Sequence, residues 1–177
     1  MLRRYALHHR TNDPIPHHLI EKLQRSRHFN QGFNTVELLA ASLTDMDIHT
    51  IEQFSPIDVN EFERKMLNER RGLMEQIAPR YRYPYFSHIF DGGYSSGYYS
   101  YLWAEVLDKD AYQAFVESGD IFNKRIATDF RNKVLARGGE ADGMDLYRDF
   151  RGADPDRKPL LLGRGLIEEE EVVEEQT

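Results

Sequence analysis

Apolar residues recur along this chain at steps of three and four, the period of amphipathic helices, and the runs are separated by proline, glycine and capping residues. After Pro14 and Pro16, the residues Leu19, Ile20 and Leu23 share one face of a short helix predicted to reach about His28. Phe33, Val36, Leu39, Ala40, Leu43 and Met46 give the strongest amphipathic signal. Asp58, with Glu61 three residues on, reads as a capping box opening a helix that carries Phe62, Met66, Leu67 and Met74. Pro79 and Pro84 interrupt the helical pattern, with a short extended piece predicted from Tyr85 to Ile89. From Tyr98 the helical period returns through Leu102, Val106, Ala111 and Phe115, and Gly119 ends it. Ile126, Phe130 and Val134 step by four to Gly138-Gly139, and Met144, Leu146, Tyr147 and Phe150 form a last short helix before Gly152 and Pro155. The fold class is therefore mainly α, in a single unit with no repeat and no linker.

Composition narrows this picture. The 177 residues suffice for one sizeable core, and 40% hydrophobic with 30% charged residues is a globular mixture. The net charge of −7 is concentrated at the end, where Glu168 to Thr177 hold six glutamates and no base. The remainder carries 23 basic against 24 acidic residues, so no basic face for nucleic acid is implied. Residues 167–177 read as a solvated, disordered acidic tail. There is no cysteine, which removes disulfides and thiolate metal sites. No apolar run approaches the ~20 residues of a membrane span, and the start of the chain lacks a signal-peptide core, so the cytoplasm is the expected compartment.

The chemistry is concentrated between Phe86 and Trp103, where four of the ten tyrosines, the only tryptophan and one isolated histidine accompany three glycines. Gly92, Gly93 and Gly97 permit sharp turns or close approach to another chain, while His88, Tyr94, Tyr98 and Tyr101 supply N–H and O–H donors around them. Such a loop suits gripping a peptide. Gly93-Tyr94-Ser95-Ser96-Gly97 also matches the nucleophile-elbow spelling of α/β hydrolases, but that site needs a parallel sheet and a downstream histidine, and His88 is the last histidine. Ser95 and Ser96 are better read as small loop residues. His17 and Glu21 are four apart, yet no H-E-x-x-H occurs, so the histidines read as surface residues and the chain as binding no zinc by itself.

The segment FSHIFDGGYSSGYYSYLWAEVL resembles the substrate-binding loop and following helix of the zinc oligopeptidase family that contains thimet oligopeptidase, oligopeptidase A and bacterial peptidyl-dipeptidase. The likeness continues through LRRYALHHRTNDPIP, RSRHFNQGFNTVELLAASLTDMDIH and FRNKVLARGGEADGMDLYRDFRGADPDRKPLLLGRGL, covering about residues 1–166. The FNQGF and RYRYPYFSHIF wording is most similar to peptidyl-dipeptidase, with oligopeptidase A next. The resemblance implies the helical C-terminal part of a zincin-type catalytic domain. It places the zinc ligands in a preceding part that this sequence does not spell, so zinc belongs to the complete enzyme and the chain alone is expected to be inactive.

By the same resemblance His88, Tyr94 and Tyr101 are catalytic donors to the scissile carbonyl oxygen, and Gly92, Gly93 and Tyr98 contact substrate, the glycines letting the loop reorganise around a bound peptide. The expected partners are short peptides and the missing N-terminal part of the peptidase. Tyr99 and Trp103, four apart, read as core packing, whereas Tyr98, Tyr101 and Glu105 share another face that borders the cleft. Arg80 and Arg82 offer a weaker candidate for binding a peptide carboxylate. The competing reading is a non-catalytic helical module that binds peptides or a partner, and exposed apolar faces would favour self-association.

Overall fold

The computed structural model describes residues 2–52 and 55–168. Helices dominate, and no strand occurs among the described residues beyond an isolated antiparallel bridge between Leu7 and Pro14. The acidic tail foreseen for residues 167–177 lies, from residue 169 on, outside the described residues. Where the sequence pattern marks no linker, the chain divides into two units, one up to Gln31 and one from Gly32 onward.

The first unit contains α1 (Leu2–Tyr5) and α2 (His17–Arg25), the latter continued by a 3-10 turn at Ser26–His28. The helix foreseen from Leu19, Ile20 and Leu23 is present, but Leu19 and Leu23 are exposed and no described residue of this unit is buried.

The second unit is organised by α3 (Gln31–His49). Its inward face differs from the one the hydrophobic period selects. Phe33, Leu39 and Leu43 are exposed, whereas Leu38, Ala40, Ala41, Ser42, Thr44, Asp45 and Asp47 are buried. The reason is that α3 is apolar over most of its circumference, so periodicity alone leaves its orientation open, and polar groups with partners decide it. Thr44 O accepts the Tyr83 hydroxyl at 3.0 Å, and the Asp47 carboxylate takes a two-pronged ion pair from Arg71. Against Leu38 and Ala41 pack Phe86, Ile89 and Tyr98, with Ile48, Tyr81, Tyr94 and Leu102 around them.

After α3, Asp58 caps α4 (Val59–Arg64) by accepting the Asn60 and Glu61 amides at 2.9 and 3.1 Å. The reciprocal half of the capping box is absent, because Glu61 instead pairs with Arg64 at 2.7 Å. The helix widens into a π turn at Lys65–Arg70 and ends there, leaving Met74 exposed beyond it. The extended piece expected from Tyr85 to Ile89 is helical: a 3-10 turn at Tyr83–Tyr85 leads into α5 (Ser87–Phe90). The proline fits because the first turn of a helix needs no amide donor there.

The longest element of the second half, α6 (Ser100–Glu117), ends at Gly119, whose φ is +73°. Asn123 caps α7 (Lys124–Phe130), which closes in a π turn at Arg131–Leu135. Asp142 caps α8 (Gly143–Arg151), stopped by a left-handed Gly152. The sequence pattern gave no sign of α9 (Lys158–Gly163), which packs on α6. Just past its end, Arg164 pairs with Glu105 of α6 and donates to the Thr35 hydroxyl of α3 at 2.8 Å.

Candidate functional site

The tyrosine-rich loop joins α5 to α6, and its path follows from glycine and backbone bonding. The amides of Asp91 and Gly92 both reach the Ser87 carbonyl, at 2.8 and 2.9 Å, and Tyr94 N–H returns to the His88 carbonyl at 3.0 Å. A Cβ at Gly92 would lie 2.7 Å from His88 Cα, so only glycine fits where the loop folds back on α5. Gly93 follows at φ +81°, a conformation that side chains disfavour. The glycines therefore set a tight local return here, and Ser95 adds to it by donating its hydroxyl to the Ile89 carbonyl.

That bond, together with the lack of any strand among the described residues, removes the serine-elbow reading. The Ser95 hydroxyl is engaged with backbone, and no histidine is among its hydrogen-bond partners.

The rings assemble around this turn. Tyr94 and Tyr101 stack with centroids 5.1 Å apart, and Tyr98 lies 5.0 Å from Tyr101. His88 sits 5.9 Å from Tyr98 and 4.7 Å from Tyr81. The foreseen donors thus share one aromatic cluster, but at different depths. Tyr98 is only 3% exposed and belongs to the core, where burial first and the Tyr81 phenol second push its pKa up. Tyr101 is 43% exposed, and the adjoining Tyr94 phenol, followed by desolvation, pushes its pKa up to about 12. Its hydroxyl therefore stays protonated, as a donor, throughout the neutral range. His88 is half-buried, and its Nδ1 is a buried atom without a hydrogen-bond partner.

Tyr99 and Trp103, read from sequence as core, are 53% and 46% exposed. The core position passes to Tyr98 because its amide is anchored beneath the loop, which turns the first helical turn's neighbours outward. Trp103 lines a cavity of about 550 Å³ with Leu107, Phe130, Val134 and Met144. Of the two arginines, Arg82 is committed to the buried Glu63 carboxylate at 2.6 Å, where burial raises the Glu63 pKa against the lowering pull of Arg82. Arg80 makes only a long contact, 3.3 Å, with Glu37.

Sequence reasoning missed Asp45. It is fully buried, and its two carboxylate oxygens accept the Ser96 and Tyr98 amides, each at 2.9 Å. The signal was present in the spacing Leu38, Ala41, Asp45, Ile48, a helical stripe as regular as the one chosen but containing a carboxylate.

For a metal, the described residues contain no group of three or more His, Cys, Asp or Glu side chains placed to hold an ion. His17 and Glu21 pair with each other at 3.1 Å on the exposed side of α2. The described residues do not fit a zinc site. No helix among the described residues is long and apolar enough to cross a membrane.

Comparison with known proteins gives this site its setting. The model of Peptidase family M3 matches residues 1–166. Dipeptidyl carboxypeptidase of Escherichia coli is 42% identical over 164 residues, covering 92% of this chain and 24% of that protein. Oligopeptidase A of Escherichia coli is 36% identical over 162 residues, 90% of this chain and 23% of its own length, and saccharolysin of Saccharomyces cerevisiae is 31% identical over 159 residues, covering 90% and 22%. The chain spans about a quarter of the length of the curated relatives it matches. A mainly helical segment matched along nearly its whole described length by one family model belongs to Peptidase family M3.

Proposed function

We propose that this chain forms the substrate-gripping side of a peptidase active centre that hydrolyses short peptides, with His88, Tyr94 and Tyr101 facing the scissile carbonyl. The observation that carries the reading is the stacked Tyr94–Tyr101 pair on a tightly folded loop, with Tyr101 exposed and its pKa pushed up to about 12. A neutral phenol donates a hydrogen bond to a carbonyl oxygen without surrendering its proton. As that oxygen gains negative charge on the way to the tetrahedral intermediate, the bond strengthens, so the group stabilises the transition state more than the bound peptide. His88 Nδ1 is buried and unpartnered, and in this reading the ring's other nitrogen serves as a second donor.

In this reading the family's metal is held, and water activated, by groups from protein outside the 177 residues. The exposed stripe of Phe33, Leu39 and Leu43 on α3 is the face on which we place that contact. A dipeptidyl carboxypeptidase and an oligopeptidase both stand among the relatives, and analysis of product lengths tells whether dipeptides or longer fragments are released.

The test combines this chain with a separately expressed polypeptide carrying the family's metal-ligand part and follows cleavage of a quenched-fluorescence peptide. The chain alone should not hydrolyse it, and the mixture should. In the active mixture Tyr101→Phe should lower turnover by about 10²–10³-fold with bound zinc unchanged. Unchanged turnover removes Tyr101 from the mechanism, and peptide binding without cleavage in the mixture makes the chain a binding module instead.

A further inference from the structure

We propose that Asp45 is the positioning residue of the tyrosine loop, fixing from α3 the backbone that carries Tyr94, Tyr98 and Tyr101. Its effect on turnover rests on the peptidase reading above, whereas the clamp itself rests on geometry alone. Asp45 lies 51 and 53 residues before its partners in sequence and is fully buried among them. Oδ1 accepts Ser96 N–H and Oδ2 accepts Tyr98 N–H, both at 2.9 Å. His49, one turn along α3, brings Nδ1 to 2.8 Å from Oδ1, and its ring packs against Phe90 at 5.8 Å.

Neither the Ser96 nor the Tyr98 amide donates to a backbone carbonyl, so the carboxylate is their acceptor. Without it, two N–H groups at the edge of the core would lose their partner. Ser96 also holds a φ of +55°, unusual for a residue with a side chain, and a buried charged acceptor is the kind of contact that maintains such a conformation. The geometry calls for a carboxylate specifically. Asparagine would offer one oxygen to one amide and turn its own N–H groups toward the other.

The consequence for the site is direct. Tyr94 precedes Ser96 by two residues, Tyr98 is itself clamped, and Tyr101 follows within one helical turn. The helix that carries Asp45 also supplies Leu38 and Ala41 to the core beneath the loop. Donor placement is thereby referred to the most buried helix of the unit instead of to the loop's own glycines.

Hydrogen exchange of the unmodified chain tests the clamp first. The Ser96 and Tyr98 amides should exchange at least about tenfold more slowly than Gly93, which has no acceptor; equal rates overturn the proposal. Asp45→Asn should speed exchange at Ser96 or Tyr98 and bring the Tyr101 phenol titration down toward the ordinary tyrosine value, and failure of both also overturns it. In the reconstituted peptidase the same variant should lower kcat by about 10²-fold with a much smaller change in KM. Wild-type turnover there, despite faster exchange, would refute the positioning role. If the unsubstituted mixture never cleaves peptide, the exchange and titration results still decide the clamp. If Asp45→Asn does not fold, the exchange rates of the unmodified chain decide it.

Discussion

Two carboxylates are buried to nearly the same depth in this molecule and do different work. Asp45 is fully buried and Asp110 is 2% exposed. Asp45 binds backbone amides of a loop. Asp110, on α6, binds side chains of α8: the Tyr147 hydroxyl donates to one oxygen, and Arg151 approaches the other at 3.4 Å while pairing with Glu117 at 2.7 Å. A carboxylate satisfied by side chains ties two helices together but leaves each partner rotatable bonds with which to adjust. One satisfied by two backbone amides of a single loop fixes the chain itself. Both stabilise the fold, and only the second determines where a neighbouring side chain begins.

Removing the side-chain knot is the largest stability change expected. Asp110→Ala leaves the Tyr147 hydroxyl buried without an acceptor and takes one of two partners from Arg151. Breaking a buried pair typically costs about 3–5 kcal/mol, and the retained Glu117 contact places this case at about 3. Thermal unfolding should show the loss, while the Tyr101 phenol titration stays as in the parent. A shift in that titration would mean that the two carboxylates belong to one network, not two.

On the loop side the matching variant is Gly92→Ala. The added methyl carbon would sit 2.7 and 2.9 Å from His88 Cα and carbonyl oxygen, backbone atoms that cannot rotate away. Forced displacement of this kind costs about 2 kcal/mol. Denaturant unfolding measures that loss. Its location matters more than its size, since α5 and the loop must part while Asp45 keeps its amides. Retained slow exchange at Ser96 and Tyr98 in this variant would separate the clamp from the glycine return, and fast exchange would merge them.

The contrast also explains what was legible in the sequence. Helix positions carried strong local signals: Gly119 and Gly152 do end their helices, and Asp58 does cap α4. The donors of the loop were visible because tyrosine, histidine and glycine at that density have few structural uses. Orientation was not visible. On α3 both candidate stripes keep the helical period, and the buried one wins through contacts made with residues 24 to 53 positions away, which no local window contains. Tyr98, Tyr99 and Trp103 changed places for the same reason, because the amide of Tyr98 is held by a residue on another helix. The helical character of residues 87–90 was masked by Pro84, and α9 was too short for its period to register.

The smallest effect expected distinguishes the carboxylates by pH. Amides do not titrate in the accessible range, whereas the phenol donating to Asp110 does. Burial first, and the Asp110 hydrogen bond next, push the Tyr147 pKa well above its ordinary value of about 10. The fold therefore favours the neutral phenol. Its contribution is fully present below about pH 10, where the unfolded chain also keeps the proton, and is lost as pH rises from there toward the folded-state value, at up to about 1.4 kcal/mol per unit. Tyr147→Phe should cost about 1 kcal/mol at neutral pH and flatten that alkaline decline. The decline should not vanish, because burial raises the Tyr83 pKa too. Urea midpoints measured from about pH 8 to about pH 11 should thus converge between parent and variant as pH rises. Parallel declines would show that Tyr147 keeps no special hold on its proton, and the distinction between a helix tie with a phenol donor and a loop clamp with amide donors would be lost.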